Sequence, residues 1–158
     1  MKEFTVQSSA FENNQPIPVK YTDDDEDISP PLSWSQLPPG TKEVALIVDD
    51  PDAPRPQPWV HWVMYKIPAD ATGLPENVQP HKHLEVPPGA LQGLNTWEQI
   101  GYDGPAPPKG HGVHHYHFKM YALDATLNLD PGQTKESLLQ AMQGHIVAQG
   151  ELIGTYKR

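Results

Sequence analysis

Two histidines and two carboxylates hold the chemistry this sequence offers. Asp50 and Asp52 sit in Asp50-Pro51-Asp52-Ala53-Pro54, a turn that its prolines make rigid. His61 follows nine residues past Asp52, flanked by Trp59 and Trp62. His114 and Tyr116 close a stretch, GYDGPAPPKGHGVHHYHF, that packs four glycines, three prolines and four histidines into Gly101 to Phe118. Each of His61 and His114 stands at or near the start of a strand-like run whose same-face neighbours are apolar. A neutral imidazole is tolerated in such a place only if its nitrogens find partners. A nearby carboxylate takes one N–H, fixes the tautomer and favours protonation, and the other nitrogen is left to face a cavity. Two such rings, glycine amides and the Tyr116 hydroxyl form a small site for phosphate or carboxylate. Prolines stiffen its rim, so little ordering entropy is lost on binding.

Each piece alone has a plainer reading. Paired aspartates in a proline turn often only satisfy backbone N–H groups. A lone histidine on an apolar strand face is usually a core residue, and Gly-Pro loops usually just turn the chain. Two other chemistries compete with anion binding. His115 and His117 form an H-x-H pair with His111 nearby, a spacing that can seat zinc and would make a histidine-coordinated metal-binding protein. His61 or His114 beside an aspartate is a reasonable general base for a hydrolase. No nucleophile accompanies it, since the serines at 8, 9, 29, 33 and 35 lie in no elbow motif.

The elements that must position these groups are mainly strands. Nineteen prolines and twelve glycines in 158 residues are too many for a helical bundle and punctuate short apolar runs. Strands are expected at Glu3–Ser9, Ile17–Tyr21, Lys42–Asp49, Trp59–Ile67, Val113–Leu123 and Leu152–Tyr156. Trp59, His61, Val63, Tyr65 and Ile67 are expected on one face of theirs. In Val113–Leu123, alternation turns His114 and Tyr116 inward and His115 and His117 outward. One helix is expected, capped by Thr134, carrying Leu138, Leu139 and Met142, and stopped by Gly144. The acidic run Asp23–Asp27 reads as a solvated loop, because calcium loops space their ligands with an intervening glycine. His81 and His83 read as exposed.

Composition bounds the rest. The length suits one domain, residues 1–158, burying roughly 70% of the surface its unfolded chain exposes. A net charge of −9 argues against a nucleic-acid surface or a polybasic membrane patch. Without cysteine there are no disulfides, thiol nucleophiles or cysteine zinc sites. No apolar stretch approaches the roughly 20 residues of a membrane span, and the N-terminus lacks a signal-peptide core. A cytoplasmic protein without a cofactor is the expectation.

DPDAP, Trp59-Val60-His61 and the GYDGPAPPKGHGVHHY run, in this order, closely resemble the phosphatidylethanolamine-binding protein family, which includes Raf kinase inhibitor protein, and most of all its small bacterial members. The resemblance runs from Ser29 to Ala122. It implies a mainly β fold of two antiparallel sheets with Greek-key connections and one or two short helices. It also implies a non-enzymatic pocket for phosphate, phosphorylethanolamine or a small carboxylate, built from Asp50, Asp52, Trp59, His61, Gly104, Pro107, Pro108, His114 and Tyr116. Distant relatives add a protein partner such as a kinase, and bacterial ones suggest a homodimer. Two positions depart from the family pattern. His115 replaces an arginine expected to brace the Asp-rich turn bidentately, a contact histidine is not expected to reproduce. Ala106 stands where many relatives have glycine.

Overall fold

The computed structural model describes residues 2–158. Its strands, in chain order, are β1 (Lys2–Glu3), β2 (Thr5–Gln7), β3 (Gln15–Pro16), β4 (Leu32–Ser35), β5 (Glu43–Asp50), β6 (Trp59–Pro68), β7 (Gly73–Leu74), β8 (Leu91–Gln92), β9 (His114–Leu123) and β10 (Ile146–Tyr156). One helix, α1 (Lys135–Met142), precedes β10. Every residue of β5 is buried, as the two-sided apolar run from Val44 to Val48 requires of a central strand. It pairs antiparallel with β6 on one side and β9 on the other.

The large sheet has seven strands, ordered β1-β10-β9-β5-β6-β8, with β3 also on β10. The chain runs β5, β6, β8 outward, then returns to lay β9 on the far side of β5, which is the Greek-key connection. A second sheet of three strands is ordered β2-β4-β7. Between the sheets lies the main core, with Trp62, Phe118, Met120 and Leu46 from one and Val6, Trp34 and Leu74 from the other. A smaller core on the opposite face of the large sheet packs Ile47, Val63 and Tyr65 under Leu138 and Met142 of α1. The mainly β, two-sheet architecture with one short helix is thus the expected one.

Several elements differ from expectation. Glu3–Ser9 is two short strands in different sheets, because buried Phe4 and Val6 draw the chain across from one layer to the other. Val19–Tyr21 is a 3-10 turn and no strand, since Pro16 and Pro18 remove ladder donors on either side of Ile17. The last strand begins six residues early, at Ile146. The Thr134 hydroxyl caps α1 by accepting from Ser137 N at 3.2 Å, and Gly144 follows the helix at φ 83°. Leu138 and Met142 are buried while Leu139 is exposed. The Asp23–Asp27 run is tied down: Asp23 and Asp24 pair with Arg158, and the Asp27 carboxylate accepts from Gly104 N at 2.7 Å.

The feature that matters most for function is a bulge in β6. Val48 pairs with Trp62 and Asp49 with Val60, so His61 is the extra residue of β6. A bulge re-aims side chains beside it. Consequently Trp59, His61, Val63 and Tyr65 do not share a face. His61 turns toward Tyr116, whereas Val63 and Tyr65 point into the smaller core under α1. A second irregularity, where Val44 and Leu46 face Ile67 and Met64, carries Ile67 back to the main core.

Candidate functional site

At one end of the large sheet, the ends of β5, β6 and β9 leave a cavity of about 290 Å³. Asp50, Ala53 and Pro54 wall it from the turn after β5, and Trp59 and His61 from β6. His114 and Tyr116 come from β9, and Ala106, Pro107 and Pro108 from the Gly/Pro loop. Trp97, from the loop after β8, completes the lining. Larger clefts of about 450 and 610 Å³ lie along β10, the first beside β1 and β9 and the second beside β2, and neither is lined by a histidine.

His61 is 3% exposed, and its Nδ1 lies 2.6 Å from the Asp103 carbonyl oxygen. The ring stands edge-on to Trp97 and to Tyr116, at 5.1 Å from each ring centre. Burial drives its pKa down to about 4, against the opposing pull of the Asp103 carbonyl and the Asp50 charge. At neutral pH the ring is therefore uncharged. The orienting group is a backbone carbonyl, where sequence reasoning expected a carboxylate.

His114 fulfils the carboxylate expectation. Its Nδ1 is 2.6 Å from Asp50 Oδ2, and both side chains are buried. Asp50 Oδ1 accepts the Asp52 backbone N–H at 2.8 Å, which closes the turn as an Asx motif. The second nitrogen of His114, Nε2, meets Nδ1 of His111 at 2.6 Å. Asp50, His114 and His111 thus form a chain of hydrogen bonds running from the buried wall to an exposed loop residue.

Seven of the nine sequence-selected residues line the cavity: Asp50, Trp59, His61, Pro107, Pro108, His114 and Tyr116. Asp52 and Gly104 do not. The Asp52 carboxylate turns outward, accepting the backbone N–H of His115 at 2.8 Å and facing its ring Nδ1 at 2.7 Å. Burial alone would raise this carboxyl, but the two bonds from His115 outweigh it and hold the pKa below its ordinary value. Histidine at 115 therefore does brace the turn, through one carboxylate oxygen. Gly104 does not line the cavity: its N–H is committed to Asp27, and the space a Cβ would take is filled by the Tyr21 carbonyl and Thr22. On the outer face of β9, His117 pairs with Glu151 at 3.1 Å, so the two members of the H-x-H pair hold separate carboxylates. Among the described residues, no three His, Cys, Asp or Glu side chains converge on a point that could hold a metal ion.

Comparison with known proteins bears on family and fold. The family model described as phosphatidylethanolamine-binding protein matches residues 7–157. The chain belongs to the phosphatidylethanolamine-binding protein family. A UPF0098 protein of Methanothermobacter thermautotrophicus is 50% identical over 153 residues, 97% of this chain and 98% of its own length. A UPF0098 protein of Pyrococcus horikoshii is 49% identical over 96% of this chain and 75% of its own. Among solved structures, Escherichia coli YbcL, described as a member of the mammalian PEBP family, superposes with a TM-score of 0.91 at 32% identity, covering 99% of both chains. A homologue from Chlamydia trachomatis gives 0.88 at 42% identity, over 100% of this chain and 99% of its own.

Four further residues at this cavity escaped sequence reasoning. Trp97 packs edge-on against both Trp59 and His61, at 5.1 Å from each ring centre, and lines the cavity. Asp103 supplies the carbonyl that orients His61, and Asn95 Nδ2 holds Asp103 in place at 2.7 Å. Arg158 reaches back from the C-terminus to the Pro107 carbonyl at 3.4 Å while pairing with Asp23 and Asp24. It is Arg158 that ties the loop to the acidic run. Trp97, Asn95 and Arg158 sit in none of the quoted motifs, Asp103 acts through a carbonyl that every residue has, and only the tertiary fold brings them here.

Proposed function

We propose that this chain binds a small oxyanion, such as phosphate, phosphorylethanolamine or a carboxylate, in the cavity between His61 and His114, without transforming it. One observation carries the reading: two buried imidazoles stand on a single cavity, each oriented through Nδ1 by a 2.6 Å hydrogen bond. The proline rim and the Trp59, Trp97 and Tyr116 rings supply a stiff, largely apolar enclosure around those few polar groups, the usual make-up of a small-molecule site. Family membership and the likeness to YbcL support the same reading. The binding role is preferred to hydrolysis because no serine, threonine or lysine lines the cavity to pair with either histidine.

Titration calorimetry with phosphorylethanolamine tests the site. His61→Ala is expected to weaken binding at least about tenfold, the loss of one good hydrogen bond to a charged group. His114→Ala is expected to weaken it as well, because it leaves the Asp50 carboxylate as an unpaired buried charge on the cavity wall. Unchanged affinity in both variants removes the site assignment. Steady release of phosphate from phosphorylethanolamine, abolished by His61→Ala, would replace binding with hydrolysis.

A further inference from the structure

The nitrogen that His61 offers the cavity has no hydrogen to give. A neutral imidazole carries a single N–H. The Asp103 carbonyl, 2.6 Å from Nδ1, is an acceptor only, so the hydrogen is on Nδ1 and Nε2 presents a lone pair. Among the described residues Nε2 has no partner, and it is not sealed from solvent. Across the cavity, both nitrogens of His114 are engaged, by Asp50 and by His111. The side-chain donor left in the walls is the Tyr116 hydroxyl; the Trp59 indole N–H also lacks a partner among the described residues but is sealed off by burial.

The charges around His61 point the same way. Asp50 faces it from β5 with its carboxylate buried, and Asp49 lies behind on the same strand, held by Lys119 and Lys135. His114 and Tyr116 face it from β9, and Asp103 faces it from the Gly/Pro loop. Arg55, stacked 4.9 Å over the Trp59 ring, is the cation at that wall. A bare oxyanion placed against Nε2 would set lone pair against lone pair, with a buried carboxylate close by. An oxyanion that carries a hydrogen would instead donate it to Nε2.

We infer that the cavity selects oxyanions that bring a hydrogen of their own, phosphate monoesters in their singly protonated form, over sulfate esters of the same shape, with His61 Nε2 as the discriminating group. This rests on the anion-binding reading above and adds the ligand class. The low proton affinity of the buried ring agrees with it, because the hydrogen must arrive with the ligand.

Phosphorylethanolamine and ethanolamine O-sulfate make the decisive pair. At pH 6, near the second pKa of a phosphate monoester, about half of the phosphate ester carries the hydrogen, and the sulfate ester carries none. Calorimetry is expected to give at least about tenfold tighter binding of the phosphate ester, the factor for one satisfied against one opposed hydrogen bond. At pH 8, titrations in two buffers of different ionisation enthalpy should show close to one proton taken up per ligand bound. His61→Gln, whose amide turns to present either N–H or C=O, should bring the two esters within about threefold. Equal affinities for the two esters in the unmodified protein, or binding without proton uptake, overturns the selectivity and leaves anion binding standing. Failure of both esters to bind at millimolar concentration overturns the anion-binding reading and this inference with it.

Discussion

Adding one methyl group at Gly104 separates what the Gly/Pro loop does for the fold from what it does for a ligand. A Cβ there would overlap the Tyr21 carbonyl oxygen outright and stand 2.6 Å from Asp27 Oδ1 and 3.0 Å from Thr22 Cα. Two of those three atoms are backbone, so no side-chain rotation relieves the clash. Overpacking of this kind costs about 1–3 kcal/mol. Pushing the two loops apart also lengthens the 2.7 Å bond from Gly104 N to the Asp27 carboxylate, and a hydrogen bond to a charged group is worth about 1.5–3 kcal/mol. Gly104→Ala should therefore lose about 3–5 kcal/mol in urea unfolding followed by tryptophan fluorescence. Gly110→Ala is the control, since Gly110 has φ +76° and open space around it. It should lose only the roughly 1–2 kcal/mol of a left-handed backbone. Where Gly104→Ala is still folded, its affinity for phosphorylethanolamine should match the unmodified protein, because its amide serves Asp27. A loss below about 1 kcal/mol, or a selective loss of affinity without loss of stability, refutes the assignment of Gly104 to structure.

Two further outcomes follow from the histidines. His61 holds a pKa of about 4 in the folded chain, against 6.5 for an unperturbed imidazole. The unfolded chain therefore binds its proton first as pH falls. Stability from this group is complete above pH 6.5 and is lost between 6.5 and 4, by about 3 kcal/mol. Urea unfolding across that window should slope by this amount more in the unmodified protein than in His61→Gln, and equal slopes contradict the neutral buried ring. His115→Ala should cost less than about 1 kcal/mol in the same assay. The His115–Asp52 pair is solvent-exposed, and the backbone N–H that also braces Asp52 survives the substitution.

How far the sequence could be read depends on what each feature needed. Val44 to Val48 announced a buried central strand because a two-sided apolar run has few other uses, and β5 is that strand. Alternation in β9 correctly split its histidines, inward at 114 and outward at 115 and 117, because β9 keeps a regular register against β5 from Leu123 to His117. The same rule failed in β6, where the extra residue at His61 breaks the period that the rule assumes. A bulge leaves no mark in residue type, since it is set by how Val48 and Asp49 pair across the sheet. Asp52 and Gly104 lie in the motif that led to the site, yet their polar groups turn to His115 and Asp27, partners 63 and 77 residues away. The tautomer of His61 was out of reach for the same reason, because Asp103 is 42 residues on and contributes a carbonyl, which every residue has. Residue types therefore located the cavity, while backbone geometry decides its chemistry. A carboxylate partner in place of that carbonyl would have favoured the protonated ring, with an N–H to offer an anion. The Asp103 carbonyl leaves Nε2 an acceptor, and on the inference above an acceptor beside a buried carboxylate would distinguish anions by the hydrogen they carry.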